Sequence, residues 1–176
     1  GVYNMDFIRY IFLLLIIIGS TSIGFLLAKR YNSRIQELKK FLNLINIFQN
    51  KMKFTHKPLK DIMEETAKIS NEDEISDIFF SASVKLKEKP LEMAWKESID
   101  EKTFLLNLKK EDIDLIKSLS NLLGKTDIDG QMSEIEQFKI LLNSNIKNAE
   151  EEKEKNAKMY KSLGTIIGLA IVIILY

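Results

Sequence analysis

The chain has 176 residues, of which 26 are basic and 25 are acidic, and its formal net charge is +1. This near balance argues against a nucleic-acid-binding protein, because such proteins carry a clustered basic excess. The sequence contains no cysteine, which excludes disulfides, thiolate metal sites and cysteine nucleophiles.

The first element is an apolar stretch from Phe7 to Ala28 in which Arg9 is the only charged residue. It provides the ~20 residues that a helix needs to cross ~30 Å of hydrocarbon. A cleaved signal peptide is the alternative, but no Ala-x-Ala cleavage pattern follows the stretch, and the basic residues come after it. We therefore predict a transmembrane helix over residues 7–28.

Residues 31–160 are predicted to form an all-helical domain, because their apolar residues recur at helical spacing and no alternating run indicates a strand. The first helix continues the apolar stretch from near Arg34 to about Lys53. Further helices begin at Pro58, near Ile75, at Pro90, near Ile113 and at Gln131, with a turn-rich loop from Gly124 to Gly130. The fold class is thus an antiparallel bundle of about six helices, whose first and last helices continue into membrane spans.

The last element, residues 163–176, is uncharged and covers ~21 Å as a helix, which is short for a span. The pattern of a long amphipathic helix runs directly into it, so we predict a second transmembrane helix. An interfacial tail is the alternative. Basic residues flank both spans on the side of the domain: Lys29, Arg30, Arg34, Lys39 and Lys40 follow the first span, and Lys153, Lys155, Lys158 and Lys161 precede the second. The positive-inside rule therefore places the domain in the cytoplasm and both termini on the far side of the membrane.

Both spans contain small residues at a spacing that allows two helix backbones to approach closely. Ser20 and Gly24 form such a pair in the first span, and Gly164 and Gly168 form a GxxxG motif in the second. The two pairs are candidates for membrane helix packing. The sequence leaves open whether they pack within one molecule or against other membrane subunits, and whether the chain forms a homo-oligomer.

The residues indicate no catalytic, cofactor or metal site. Gly124-Lys125-Thr126 resembles the end of a phosphate-binding loop, but Leu119 stands where the motif requires glycine. Asp127 and Gly130 do not have the spacing of a calcium loop. His56 is the only histidine, so no metal site with two histidines can form, and we interpret His56 as helping to cap or orient the helix that begins at Pro58. The acidic residues are predicted to lie on solvated helix faces. Trp95 is predicted to be a core residue.

Several segments, in order and spacing, resemble the stage III sporulation protein AB family of endospore-forming Firmicutes over nearly the whole chain. The family motif positions include His56, Pro58, Leu59, Trp95, Gly124 and Gln131. The segments that carry the resemblance are residues 20–25, 28–29, 34–38, 56–59, 94–95, 123–124 with 127 and 131, and 156–164.

This resemblance implies a non-enzymatic subunit of the channel between mother cell and forespore, located in the mother-cell membrane that faces the forespore. It also implies a domain similar to the cytoplasmic domains of inner-membrane platform proteins in type II secretion and type IV pilus machines. The expected partners are other stage III sporulation channel subunits and a separate cytoplasmic secretion-type ATPase, with no cofactor.

Three residues depart from the family pattern. Gln49 and Lys51 stand where the family tends to have acidic residues, and Lys57 replaces a threonine before Pro58. A contact of the ATPase with an acidic groove at these positions would therefore be changed or lost in this chain. The alternative function is a tail-anchored membrane adaptor or signalling protein outside sporulation.

Overall fold

The computed structural model describes the backbone of residues 2–55, 57–70, 73–123 and 127–175, and their side chains from Phe7 onward. Within these residues the chain forms six α-helices and no strand, which confirms the predicted all-α class. The helices are α1 (Val2–Thr55), α2 (Leu59–Ala67), α3 (Glu74–Lys85), α4 (Leu91–Lys102), α5 (Lys110–Ser118) and α6 (Ile128–Leu175), with short 3-10 turns at Thr103–Leu105 and Leu119–Asn121.

The first and last helices are the two apolar elements, and each continues without a break into a helix of the predicted domain, as expected. The mean hydropathy of their most apolar segments is 2.5 in α1 and 1.7 in α6. Only 17% and 11% of those segments is buried, which differs from the largely buried core helix of a soluble protein. The chain therefore contains two helices that are long and apolar enough to cross a membrane.

The starts of the short helices follow from residues that satisfy the free backbone groups of a first turn. Pro58 and Pro90 directly precede α2 and α4, and their carbonyl groups accept bonds from Asp61 and Ala94 in the first turns, both at 3.0 Å. The Asp73 carboxylate caps α3 by accepting the backbone N–H groups of the second and third helical residues.

Two predicted boundaries are wrong. The loop was expected to extend to Gly130, but α6 already begins at Ile128. Asp127 explains the earlier start, because its side chain accepts the backbone N–H of Gly130 at 2.9 Å, as an N-cap residue does. The helix near Ile113, which was expected to extend up to that loop, ends at Ser118 and tightens into a 3-10 turn, which is a common way to satisfy the last carbonyl groups.

The chain divides into two compact units. The terminal unit comprises Gly1–Ser33 and Ala149–Tyr176, and the central unit comprises Arg34–Asn148. The central unit is built around a cluster of five buried aromatic residues whose ring centroids lie 5.1–6.3 Å apart in the contacting pairs. These residues are Phe41, Phe48, Phe79, Trp95 and Phe138.

Trp95 is fully buried in this cluster, which confirms its predicted place in the core. Its indole N–H donates to the Ile116 carbonyl oxygen at 2.8 Å and so joins α4 to α5.

The substitution Trp95→Phe removes this bond and part of the ring volume, and we expect it to lower the free energy of unfolding by about 1–2 kcal/mol. Urea denaturation of the full chain in detergent, followed by circular dichroism, measures the change. Phe104→Leu, at a side chain that is 80% exposed, is the control, and an equal loss in both variants would contradict this role.

Candidate functional site

Within the terminal unit, α1 and α6 meet at small residues that bring their backbones into direct contact. A Cβ atom added at Gly24 would lie 2.6 Å from the Tyr160 carbonyl oxygen and 3.2 Å from the Gly164 Cα. A Cβ atom at Gly164 would lie 2.8 Å from the Ser20 carbonyl oxygen. Because these neighbours are backbone atoms, which cannot turn away as a side chain can, only glycine fits at either position.

The contact extends along both helices. The Ser20 hydroxyl donates to the Gly164 carbonyl oxygen at 2.5 Å, and a Cβ atom at Gly168 would lie 3.2 Å from the Ser20 Cβ. The structure thus brings Ser20, Gly24, Gly164 and Gly168 together in one molecule. Gly19 differs, since a Cβ atom there meets nothing within 4 Å. The role of the four residues in a membrane remains a prediction.

Polar contacts join the same two helices on either side of the small residues. Arg9 donates from Nη2 to the Leu175 carbonyl oxygen at 3.0 Å, and Lys153 donates from Nζ to Asn32 Oδ1 at 2.9 Å. Between the Arg9–Leu175 contact and the Ser20–Gly164 contact, the residue number rises along α1 by as much as it falls along α6. The terminal unit is therefore an antiparallel helix pair with one register along its length.

A buried ion pair lies in the central unit. The Arg34 side chain is 3% exposed and donates from Nε and Nη2 to both carboxylate oxygens of Asp112, which is fully buried, at 2.7 and 3.0 Å. Glu111 also accepts from Arg34 Nη2, at 2.8 Å, and Asn145 donates to Asp112 at 2.9 Å. The interpretation of acidic residues as solvated is therefore wrong for Asp112, because this carboxylate is paired and hydrogen-bonded inside the unit.

A second carboxylate, Glu37, joins α1 to the loop before α5. It accepts the backbone N–H and the side-chain amide of Asn107, both at 2.8 Å. Burial raises the pKa of the Glu37 carboxyl above its ordinary value, although the two bonds from Asn107 oppose that rise. Within the segment from Arg34 to Leu38, which carries part of the family resemblance, Arg34 thus contacts α5 and Glu37 contacts the loop before it.

The positions that depart from the family pattern are engaged in contacts within the central unit. Lys51 and Lys57 both form ion pairs with Glu65, the former at 2.8 Å. Gln49 donates to Glu136 at 2.9 Å and accepts from Lys139 at 3.0 Å. The basic residues at 51 and 57 therefore pair with a carboxylate of the same unit.

The contact of Lys51 and Lys57 with Glu65 predicts a pH dependence. Hydrogen bonds from Lys51 and then Lys57 lower the pKa of the Glu65 carboxyl to about 2. A pKa lowered by folding contributes stability above the pKa of the unfolded chain, near 4.3, and that contribution disappears as the pH falls towards about 2. We expect Glu65→Gln to cause a small loss of stability at neutral pH that vanishes in acid. The Trp95 fluorescence in urea at several pH values measures it, and an unchanged difference at all pH values would contradict the assignment.

The family motif positions have separate structural roles. His56 and Gly124 lie outside the described residues. Pro58 is exposed before α2, and Leu59 opens that helix half-buried, while Trp95 belongs to the aromatic cluster. Gln131 lies half-buried in the first turn of α6, where its backbone N–H donates to the Asp127 carbonyl oxygen at 3.0 Å.

The described residues contain no group of three or more histidine, aspartate or glutamate side chains that is arranged to hold a metal ion. The buried polar side chains of the central unit make structural contacts. Ser98, for example, donates to the Ala94 carbonyl oxygen at 2.7 Å, and the Thr66 hydroxyl donates to Ile62 in the same way. These two bonds satisfy buried hydroxyl groups within their own helices.

Comparisons with known proteins agree with this architecture. The family model of stage III sporulation protein AB matches residues 9–176. The stage III sporulation protein AB of Bacillus subtilis (strain 168) is 27% identical over 162 residues, which cover 91% of this chain and 94% of that relative. A solved structure of a stage III sporulation protein AB, SpoIIIAB, matches with a TM-score of 0.64 at 21% identity and covers 70% of this chain and 98% of its own. This structural likeness supports the fold.

Proposed function

The chain belongs to the stage III sporulation protein AB family, and from this premise we propose that it is a non-enzymatic membrane platform subunit of the channel between mother cell and forespore. In this function the terminal unit anchors the subunit in the mother-cell membrane, and the central unit contacts the other channel subunits. A role in sporulation follows from the family, and the specific place in the channel is the proposal.

The observation that carries the proposal is the backbone contact between α1 and α6 at Gly24 and Gly164. In lipid there is little hydrophobic driving force between helices, so association depends on close packing and interhelical hydrogen bonds. The glycines permit the close packing, and Ser20 supplies such a bond to the Gly164 carbonyl oxygen. Both apolar helices can thus cross the bilayer as one antiparallel pair.

The charges that flank the apolar segments support a cytoplasmic central unit. Lys29 and Arg30 follow the first span, and Lys158 and Lys161 precede the second, all four being exposed. Arg34 does not belong to this flank, because its charge is paired with Asp112. By the positive-inside rule the four exposed residues favour the cytoplasmic side for the central unit and the far side for both termini.

Docking of a separate cytoplasmic secretion-type ATPase is the second part of the proposal, and it rests on the similarity of the family to secretion platform proteins. Lys51 stands where the family tends to have an acidic residue, and Lys57 stands where it tends to have a threonine. In this chain both lysines pair with Glu65. The central unit also exposes large aromatic side chains, Phe54 at 71% and Phe104 at 80%. Exposed aromatic residues are favourable anchors for a partner protein.

Site-directed photocrosslinking in sporulating cells tests the proposal. A photoreactive phenylalanine analogue replaces Phe54, Phe80 or Phe104, one at a time, on the exposed surface of the central unit. We expect crosslinks to channel subunits or to the ATPase in sporulating cells, and none of these products when the same variants are produced in growing cells. If all three positions and their exposed neighbours capture neither class of partner, the platform function is contradicted.

A further inference from the structure

The terminal unit contains a cavity of about 940 Å³ along one side of the α1 and α6 pair. Its walls come from both helices, and its largest side chains are apolar and open to the surroundings. Phe25 is 54% exposed and Leu26 is 64% exposed. The residues that line the cavity include none of Ser20, Gly24, Gly164 and Gly168, and neither Phe54 nor Phe104.

Three lysines line the same cavity, namely Lys29 from α1 and Lys153 and Lys161 from α6. Lys153 donates to the neutral Asn32, and the Lys161 amino group lies 5.2 Å from the centroid of the Phe25 ring. None of the described residues that line the cavity is acidic. The three positive charges therefore have no compensating carboxylate in the cavity wall and favour an anionic occupant.

The cavity carries its lysines towards Lys29, whereas its walls towards Ile17 are apolar apart from Thr21 and Ser22. From Lys29 to Ile17 it follows α1 for twelve residues, a rise of about 18 Å, which is close to the ~15 Å of hydrocarbon in one leaflet. Lys161 lies beside Phe25, and a long lysine side chain can reach from such a depth to the membrane interface. An anionic head group with acyl chains matches this distribution, whereas a free phosphate would leave the apolar walls uncovered.

We propose that this cavity binds an anionic phospholipid of the leaflet that faces the central unit, with its phosphate at Lys29, Lys153 and Lys161 and an acyl chain along Ile17, Phe25 and Leu26. Basic pockets between transmembrane helices on the cytoplasmic side bind acidic head groups in this way. The inference rests on the proposed function, because it requires that both apolar helices cross the bilayer. It adds a specific lipid site to that function.

Lipid binding to the full chain tests the inference. The purified protein is reconstituted in bilayers containing phosphatidylglycerol and phosphatidylcholine with identical acyl chains, and native mass spectrometry counts the lipids retained by the protein. The test variant carries Lys29→Gln, Lys153→Gln and Lys161→Gln. The control carries Arg30→Gln, Lys155→Gln and Lys158→Gln, which remove the same charge from exposed residues of the same unit outside the cavity wall.

We expect the original chain and the control to retain more phosphatidylglycerol than phosphatidylcholine. In the test variant we expect the ratio of retained phosphatidylglycerol to phosphatidylcholine to be about tenfold lower. Soluble glycerol phosphate, which has the head-group chemistry without acyl chains, is expected not to compete. No preference in the original chain, an equal loss in both variants, or full competition by glycerol phosphate would each overturn the lipid site.

Extraction with alkaline carbonate distinguishes failure of the lipid site from failure of the proposed function. A protein that stays in the bilayer but shows no lipid preference contradicts the lipid site alone. A protein that carbonate removes from the bilayer contradicts membrane spanning, and with it both proposals. Circular dichroism and the fluorescence of Trp95, the only tryptophan, verify that each variant is folded.

Discussion

Substituting Arg34 by methionine is expected to lower the free energy of unfolding of the central unit by about 3–5 kcal/mol. Arg34 is 3% exposed and forms a two-pronged ion pair with Asp112, which has no exposed surface. Removing one partner leaves a charged carboxylate in the interior, where Asn145 and the Lys109 backbone N–H remain as its neutral partners. An uncompensated buried charge is far more destabilising than the loss of an exposed ion pair.

The fluorescence of Trp95 reports on this loss, because Trp95 is the only tryptophan and lies in the core of the central unit. The full chain in detergent is unfolded with urea. The control Arg30→Met removes an exposed charge from the same helix and is expected to cost under about 0.5 kcal/mol. Adding Asp112→Asn to Arg34→Met is expected to recover at least half of the loss, since the buried charge is then absent. A cost below about 1 kcal/mol for Arg34→Met would contradict the role of the ion pair.

The second large effect is expected from Gly24→Leu, which places a side chain where backbone atoms of α6 already lie. Its Cβ would be 2.6 Å from the Tyr160 carbonyl oxygen, so the two helices must separate or shift. We expect this overpacking to disfavour the helix pair by about 3 kcal/mol, or roughly a hundredfold in its population. Gly19→Leu is the matched control, because a Cβ atom at Gly19 meets nothing within 4 Å.

A disulfide between the helices measures this population. The chain has no cysteine of its own, and the Ser20 Cβ lies 3.2 Å from a Cβ atom built on Gly168, within a few tenths of an ångström of disulfide geometry. The pair Ser20→Cys and Gly168→Cys is expected to oxidise readily in membranes, and equally well with Gly19→Leu. Adding Gly24→Leu should slow oxidation strongly. Equal rates with Gly24→Leu and Gly19→Leu would show that the helices do not pack through Gly24.

The helices of the fold were predictable because burial follows a helical period in the sequence. Leu38, Phe41, Ile45 and Phe48 recur at that period and are all fully buried in the structure. The apolar segments of α1 and α6 are equally clear, because their length and composition suffice. Helix boundaries were less predictable, since the start of α6 depends on one cap by Asp127, whose residue type is equally typical of a loop.

The buried ion pair was missed although the sequence contains a signal for it. Arg34 lies four residues before Leu38 and seven before Phe41. On a helix it therefore shares the face of these buried residues and does not lie on the exposed face. Asp112 likewise precedes Ile116 by four residues. A single charged residue in this phase does not reveal its partner, because Arg34 and Asp112 are far apart in sequence and meet only through tertiary packing.

The small residues of the spans were identified from their spacing, but the spacing does not define a partner. Ser20 with Gly24 and Gly164 with Gly168 fit contact within one molecule and contact between subunits equally well. The structure describes a contact within one molecule, with Ser20 bonded to Gly164. The lysines of the cavity were counted as an orientation signal, and their common position beside an apolar groove is visible only once the two helices are paired.

The membrane topology of the full chain tests the proposed membrane hairpin. It is measured by labelling single cysteines with a membrane-impermeant thiol reagent in protoplasts of non-sporulating cells. The chain lacks cysteine, so Phe7→Cys, at the outer end of the first span, and Asn121→Cys, on the exposed surface of the central unit, each provide one thiol. We predict that Phe7→Cys is labelled in intact protoplasts and that Asn121→Cys is labelled only after permeabilisation. Labelling of Asn121→Cys in intact protoplasts, or recovery of the protein in the soluble fraction, would contradict a membrane hairpin with a cytoplasmic central unit.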